Sequence, residues 1–150
     1  MNKIAEKIKH FLNQMNLKYE YNESERVFVL PFRIGLSGGG YAVATVFVRY
    51  DEKWTLIVSP LLPRSAIPSD IDKAKLYERL LMDTYYLNEV TYGLTKEGDI
   101  VVHAEIHKKA LEYNNFVTEF NSVVYGVKHF VENILKDFEK YREHTRLQYI

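Results

Sequence analysis

Cysteine is absent from this 150-residue sequence, and its absence excludes disulfide bonds, thiolate nucleophiles and iron–sulfur clusters. An excess of one charge is also missing, because 20 Lys and Arg residues balance 20 Asp and Glu residues. Proteins that bind nucleic acid or anionic membranes usually carry surplus basic residues, so the balance argues against both kinds of partner. No apolar run approaches the roughly 18 residues of a membrane-spanning helix.

The rest of the composition is that of an ordinary globular protein, with 47% apolar and 27% charged residues. The opening segment "MNKIAEKIKHFLNQMNL" mixes charged and apolar residues and has no apolar centre of the kind found in signal peptides. These features predict a soluble, cytoplasmic protein. We expect one α+β domain over residues 1–150 with a single hydrophobic core.

The periodicity of apolar residues changes along the chain between the helical and the strand pattern. Strands come in hairpins and do not alternate with helices, which favours an antiparallel sheet with helices packed on it. Helices are predicted at 3–16, from about 71 to 85 and from about 116 to 141, and strands at 19–21, 26–34, 41–50, 54–62, "NEVTYGL" and "DIVVHAEI".

Two of these helices have a predicted buried face. The second helix is expected to begin at a cap formed by Ser69, with Asp72 three residues later. Its predicted buried residues are Ile71, Ala74, Tyr77, Leu80 and Leu81. The last helix has a longer stripe, Phe116, Phe120, Val123, Val127, Phe130, Ile134 and Phe138.

Strands 41–50 and 54–62 are apolar on both faces for much of their length. Such strands need a cover on both sides, supplied by helices on one side and by helices or a partner on the other. An isologous dimer is a common way to provide that second cover. The candidate residues for partner or dimer contact are Tyr41, Val43, Phe47, Trp54, Leu56 and Val58.

The glycine-rich segment "IGLSGGGYAV", residues 34–43, has the composition of a phosphate-binding loop but not its context. Such a loop leads into a helix and is usually followed by Lys, whereas a strand follows here. The glycines therefore predict a hairpin turn that needs positive φ angles. A mobile loop that touches a ligand stays open as an alternative.

The segment "HAEIH", residues 103–107, contains the weak metal-ligand candidates His103, Glu105 and His107. On a strand these three side chains share one face, and neighbours in such a row lie about 7 Å apart. The outer pair is too far apart for one mononuclear site, and the sequence offers no third ligand. A solvated strand face is the favoured interpretation, and a metal-dependent enzyme that uses these side chains stays open as an alternative.

Motifs of nucleophilic or acid–base catalysis are missing from the sequence. The serines have no G-x-S-x-G context, and no Ser or Asp accompanies the histidines in a triad-like arrangement. We therefore predict no enzymatic activity and no cofactor.

The segment "DTYYLNEVTYGLTKEGDIVVHAEIHKKALEYNNFVTEFNSVVYGVKHFVE", residues 83–132, resembles the C-terminal half of the YbjN-type family of sensory transduction regulators. The similar features are the Leu- and Tyr-rich helix end, Tyr92-Gly93 in a short strand, the turn at Glu97-Gly98 and the final helix ending in "VVYGVKHFVE". With 19–21 as an irregular lead-in, the whole chain is similar in order to the family's α-β-β-β-α-β-β-α, a type III secretion chaperone-like fold.

The resemblance implies a binder without catalytic residues. Secretion chaperones of this fold dimerise and hold extended client segments against apolar surface. We therefore expect a non-catalytic cytosolic protein-binding or regulatory domain that acts as a homodimer, with a protein or itself as partner. The alternative is a small-molecule sensor whose pocket lies between the sheet and the long C-terminal helix, gated by the loop at 37–40.

Overall fold

One antiparallel sheet and three main helices account for the part of the chain that this computed structural model describes, residues 2–139. In chain order the elements are α1 (Lys3–Gln14), β1 (Glu20–Asn22), β2 (Val27–Gly35), β3 (Tyr41–Tyr50), β4 (Trp54–Leu62), α2 (Lys73–Tyr86), β5 (Thr91–Leu94), β6 (Ile100–His107) and α3 (Tyr113–His129). The six strands lie in the order β1-β2-β3-β4-β6-β5. The predicted α+β class and order are confirmed, with β1 as a three-residue strand at one edge.

The hairpin turns form where the sequence places them. Between β2 and β3, Gly39 and Gly40 have φ angles of +94° and +77°, which only glycine adopts without strain. The Leu36 amide donates to the Gly40 carbonyl oxygen and closes the turn. Pro31 has no N–H to donate, which suits a sheet edge. β1 pairs only with residues 27–29 of β2, so that Pro31 has a strand neighbour on its β3 side alone.

The inner face of the sheet is covered by α3. Alternate residues of the long strands point to this face, and most of them are buried: Phe28, Leu30, Ile34, Ala44, Val46, Val48, Ile57, Ile100, Val102, Ala104 and Ile106. Burying one large apolar side chain stabilises the fold by roughly 1.5–3 kcal/mol, so this row accounts for much of the core. Among the described residues, the buried apolar side chains form one cluster with α1 and α3, except for Val27, which lies on the opposite face of the sheet.

Helix α3 lies directly against the sheet. The predicted stripe is confirmed, since all its members are buried except Phe138, which is half-buried. A Cβ atom built on Gly126 would lie 2.5 Å from Val102 Cγ2, so glycine permits this close approach. The helix continues through a π-helical segment, Phe130–Leu135, to residue 139, and Tyr141 of the predicted helix lies outside the described residues.

Helix α2 lies at the β5 edge of the sheet and differs from its prediction. Its N-cap is Asp72, whose Oδ1 accepts a hydrogen bond from the Lys75 amide, and not Ser69. Leu76 and Leu80 are its buried residues. The prediction was wrong for Ala74, which is exposed, and for Leu81, whose exposed fraction is 72%.

Polar contacts hold α2 to the C-terminal helical segment. His129 Nε2 lies 2.7 Å from Asp83 Oδ2, and the same oxygen accepts from Arg79 Nε at 2.9 Å. Arg79 Nη1 also donates to Asp137 Oδ2 at 2.7 Å. These polar contacts hold α2 in place although only two of its apolar residues are buried. The side of α2 that faces away from the sheet and the C-terminal segment is exposed. No helix within residues 2–139 is long and apolar enough to cross a membrane.

Candidate functional site

The outer sheet face, opposite the helices, is formed by the alternate strand residues that point away from α3. Register places Phe47 between Val29 on β2 and Val58 on β4. On the next row Leu56 lies beside Arg49. The apolar side chains of three strands are therefore neighbours across this face.

All six residues predicted for partner contact lie on the outer sheet face: Tyr41, Val43, Phe47, Trp54, Leu56 and Val58. Val43 is 73% exposed, Tyr41 55% and Trp54 46%, while the other three are half-buried among their neighbours. An antiparallel sheet with one solvated face normally carries polar residues there. A contiguous apolar surface in that place is typical of a binding site.

The three weak metal candidates also share the outer sheet face but make other contacts. His103 Nδ1 is hydrogen-bonded to a carboxylate oxygen of Glu105. His107 Nδ1 accepts from the Lys109 amide at 3.2 Å, and its ring packs edge-on against Trp54 with centroids 5.0 Å apart. Within residues 2–139 no group of three or more His, Asp or Glu side chains could hold a metal ion. This geometry is that of a solvated strand face on which the His103 and His107 side chains contact neighbouring residues.

A second apolar surface, the α2–β5 edge, was missed in the sequence. Its exposed residues are Leu81, Met82, Tyr85, Tyr86 and Leu94. Leu81 and Leu94 also line an open, mostly apolar cleft of about 210 Å³ between the helix and β5. The signal was present in the paired residues Leu80-Leu81 and Tyr85-Tyr86, because adjacent apolar residues on a helix face different sides.

The glycine turn borders a different cleft. Ser37 donates from its backbone amide to Glu132 Oε1 and from its hydroxyl to Oε2, and these bonds tie the turn to the π-helical segment. The backbone bond is the main reason that the pKa of Glu132 lies below its ordinary value. The open cleft beside this contact measures about 470 Å³ and is half polar. This cleft lies beside the turn and not between the sheet and α3, where the sensor alternative predicts a pocket. At Gly126, α3 packs directly on the sheet.

A pair of carboxyl groups lies where α3 meets the loop before β5. Burial raises the pKa of Glu119 to about 7, and a hydrogen bond with Glu89 together with its negative charge adds to the shift. The charge of Glu105 acts in the same direction. Glu119 therefore holds a proton in the folded protein well above the pH at which a free carboxyl group loses it.

Solved structures of a type III secretion complex and of a chaperone–effector complex contain chains with a similar fold. A chain of the heterodimeric ExoU–SpcU complex from the type III secretion system of Pseudomonas aeruginosa is 17% identical, with a TM-score of 0.56 over 83% of this chain and 94% of that one. This protein has a type III secretion chaperone-like fold.

Two further structures share the fold. A chain of the HopA1–SchA chaperone–effector complex is 13% identical, with a TM-score of 0.51 over 80% of this chain and 88% of that one. A chain of the ExsC–ExsE complex is 10% identical, with a TM-score of 0.54 over 87% and 94%. No family model and no curated protein matches the sequence.

Proposed function

We propose that this protein is a non-catalytic, chaperone-like binding module that holds an apolar segment of a partner protein on its outer sheet face. The observation that carries the proposal is the exposure of Val43, Tyr41 and Trp54 on a face that no helix of the described residues covers. Exposed aromatic and aliphatic side chains on such a face are typical of protein-binding sites. The likeness to chains of a chaperone–effector complex supports the same role.

A homodimer is the second part of the proposal, and the α2–β5 edge is its interface. β5 is the terminal strand of the sheet, so one side of its backbone has no strand neighbour among the described residues. Leu81 and Tyr85, 72% and 81% exposed, lie beside it on α2. An isologous contact buries the same edge of both copies and leaves both outer sheet faces free for a partner.

A regulatory role and a cytoplasmic location complete the proposal. The regulatory role rests on the resemblance of residues 83–132 to the YbjN-type family, and the cytoplasmic location rests on the likeness of the fold to type III secretion chaperones. The small-molecule sensor stays an alternative prediction, and the cleft beside the glycine turn is its nearest structural counterpart.

Site-specific photo-crosslinking in cells tests the binding role. A photoreactive amino acid at Val43 is expected to form an adduct with a different protein, and the same group at Glu6, exposed on α1, is the control. The crosslinked segment is then synthesised and titrated against the purified protein. Binding should change the fluorescence of Trp54, the single tryptophan of the chain, and Val43→Asp should abolish it. Adducts with a second copy alone, or none, would contradict the proposal.

Native mass spectrometry of the untagged protein tests the homodimer and also reports any retained small molecule. We expect a dimer that Leu81→Glu converts to a monomer. Tyr41→Lys, at an exposed position on the outer sheet face, should leave the dimer intact. The reverse result would place the dimer interface on the sheet face, and a wild-type monomer carrying extra mass would favour the sensor.

A further inference from the structure

Strands β2 and β3 form one strip of the outer sheet face, which we call the lane. Two arginines lie near its opposite ends. Arg33 lies beside Val43 in the strand register, and its guanidinium carbon is 4.7 Å from the centre of the Tyr41 ring. Arg49 lies beside Val27, and its guanidinium carbon is 5.8 Å from the centre of the Phe47 ring. Both side chains are exposed. Stacking on the rings keeps each guanidinium over the apolar surface.

Neither arginine has a carboxylate partner within residues 2–139. The acidic residues of the outer sheet face are Glu20 on the edge strand β1 and Glu105 on β6, two strands away from β3. Glu105 is engaged by His103. Stacked arginines whose donors are free are suited to bidentate contacts with carboxylates of a partner.

The spacing of the arginines sets a length scale. Residues 43 and 49 are six positions apart on β3, which corresponds to about 20 Å along a strand. Between them the exposed side of the lane carries Thr45 and Phe47, with Val29 and Pro31 on β2. An extended partner segment that runs along β3 would direct two of its apolar side chains onto this stretch. Two further residues of the segment, six positions apart, would reach the two guanidinium groups.

We propose that the partner segment recognised by the outer sheet face is extended and acidic at both ends, with two carboxylates about six residues apart and apolar side chains at the alternate positions between them. This inference rests on the proposed function. It adds the chemical class of the partner: the apolar lane contributes affinity, and the arginines select the charge and fix the register.

The test uses three synthetic peptides and the fluorescence of Trp54. The first peptide has two glutamates six positions apart with leucines at the alternate positions between them; in the second, glutamines replace the glutamates; the third has the first peptide's composition with both glutamates adjacent at one end. We expect binding to shift Trp54 emission to shorter wavelength. The first peptide should bind tightest, and its advantage should shrink as salt is raised.

Variants of the arginines separate charge from apolar contact. Arg33→Gln and Arg49→Gln should each weaken the first peptide about two- to five-fold, the range of exposed ion pairs, and leave the glutamine peptide unchanged. Arg49→Glu should restore tight binding when lysine replaces the glutamate at one end of the peptide. Circular dichroism of each variant should match the wild type, because both positions are exposed.

The outcomes distinguish the two proposals. If all three peptides bind equally and the arginine variants change nothing, the charge inference is wrong and the binding role stands. If no peptide alters Trp54 fluorescence and the segment crosslinked at Val43 does not either, both are wrong. Tighter binding of a lysine-flanked peptide to the wild type would also overturn the charge inference.

Discussion

The two faces of one sheet have different environments although their strands are similarly apolar. On β3, Val46 and Val48 point to the inner face and are fully buried beneath the helices, whereas Val43 points outward and is 73% exposed. The sequence of the strand is apolar in both directions. The difference lies in what the rest of the chain supplies, because α3 packs on one face, whereas Tyr41, Val43 and Trp54 stay exposed on the other.

This contrast separates stability from function within the same strands. Inner-face residues are fixed by packing against α3, and their substitution should unfold the protein. Outer-face residues should contribute less to the folded state of the isolated chain, and the proposed function assigns them to contact with another molecule. Substitutions matched across the sheet therefore provide direct tests of the contrast.

The largest expected effect comes from truncating matched phenylalanines. Phe120 on α3 is 1% exposed and packs between the rings of Phe32 and Phe116, so Phe120→Ala should cost about 3–5 kcal/mol of unfolding free energy. Phe47→Ala on the outer sheet face should cost about 1 kcal/mol, because its ring is partly solvated in the folded chain. Urea denaturation of both variants measures the difference. Equal losses would show that the outer face is covered in the isolated protein.

A second, smaller effect tests how closely α3 approaches the sheet. Gly126→Ala places a methyl group against Val102 and Val90, and we expect it to cost about 1–3 kcal/mol, more than the ~1 kcal/mol that alanine gains in a helix. Gly38→Ala is the matched control, since a Cβ atom there meets nothing within 4 Å. Thermal melts should show a lower midpoint for the first variant alone. An unchanged Gly126→Ala midpoint would mean that α3 can move away from the sheet.

The strand pattern predicts the outer sheet face because period-two alternation assigns each residue to a face without knowledge of the rest of the fold. Alternation alone therefore groups the six residues from Tyr41 to Val58 on the face where they lie. The same rule places His103 and His107 on one face. What each face contacts depends on helix docking, which local periodicity does not encode.

At the α2–β5 edge, the sequence does not predict which side of the helix is buried. Helix α2 has apolar residues on several sides, and periodicity alone does not decide which side the core takes. The predicted stripe includes Leu81 and omits Leu76, yet the structure has them the other way round. The deciding contacts, Asp83 with His129 and Arg79 with Asp137, join residues 46 and 58 positions apart.

The pH dependence of stability probes the boundary between the covered face and the solvent, where Glu119 meets Glu89. Burial and the neighbouring carboxyl group raise the pKa of Glu119 from 4.5 to about 7. The folded state therefore binds more protons than the unfolded chain between these values, and stability should fall as the pH rises through this range.

Glu119→Gln should remove this part of the pH dependence and make the protein more stable than the wild type at pH 8. Glu97→Gln, exposed in the β5–β6 turn, should keep the wild-type slope. Urea denaturation at several values between pH 4.5 and 8 measures both. A Glu119→Gln slope equal to that of the wild type would show that this carboxyl group is solvated and titrates normally.

The smallest expected effect comes from the same substitution on opposite faces. Thr55 is 1% exposed on the inner face, and its hydroxyl has no hydrogen-bond partner in the described structure. Thr55→Val keeps the shape and removes the desolvated hydroxyl, so it should stabilise the protein by about 1 kcal/mol. Thr45→Val on the half-exposed outer face should change stability by less than about 0.5 kcal/mol, because water solvates that hydroxyl. Equal responses of the two variants in urea denaturation would mean that water reaches the Thr55 hydroxyl. The inner face would then be incompletely covered at this position.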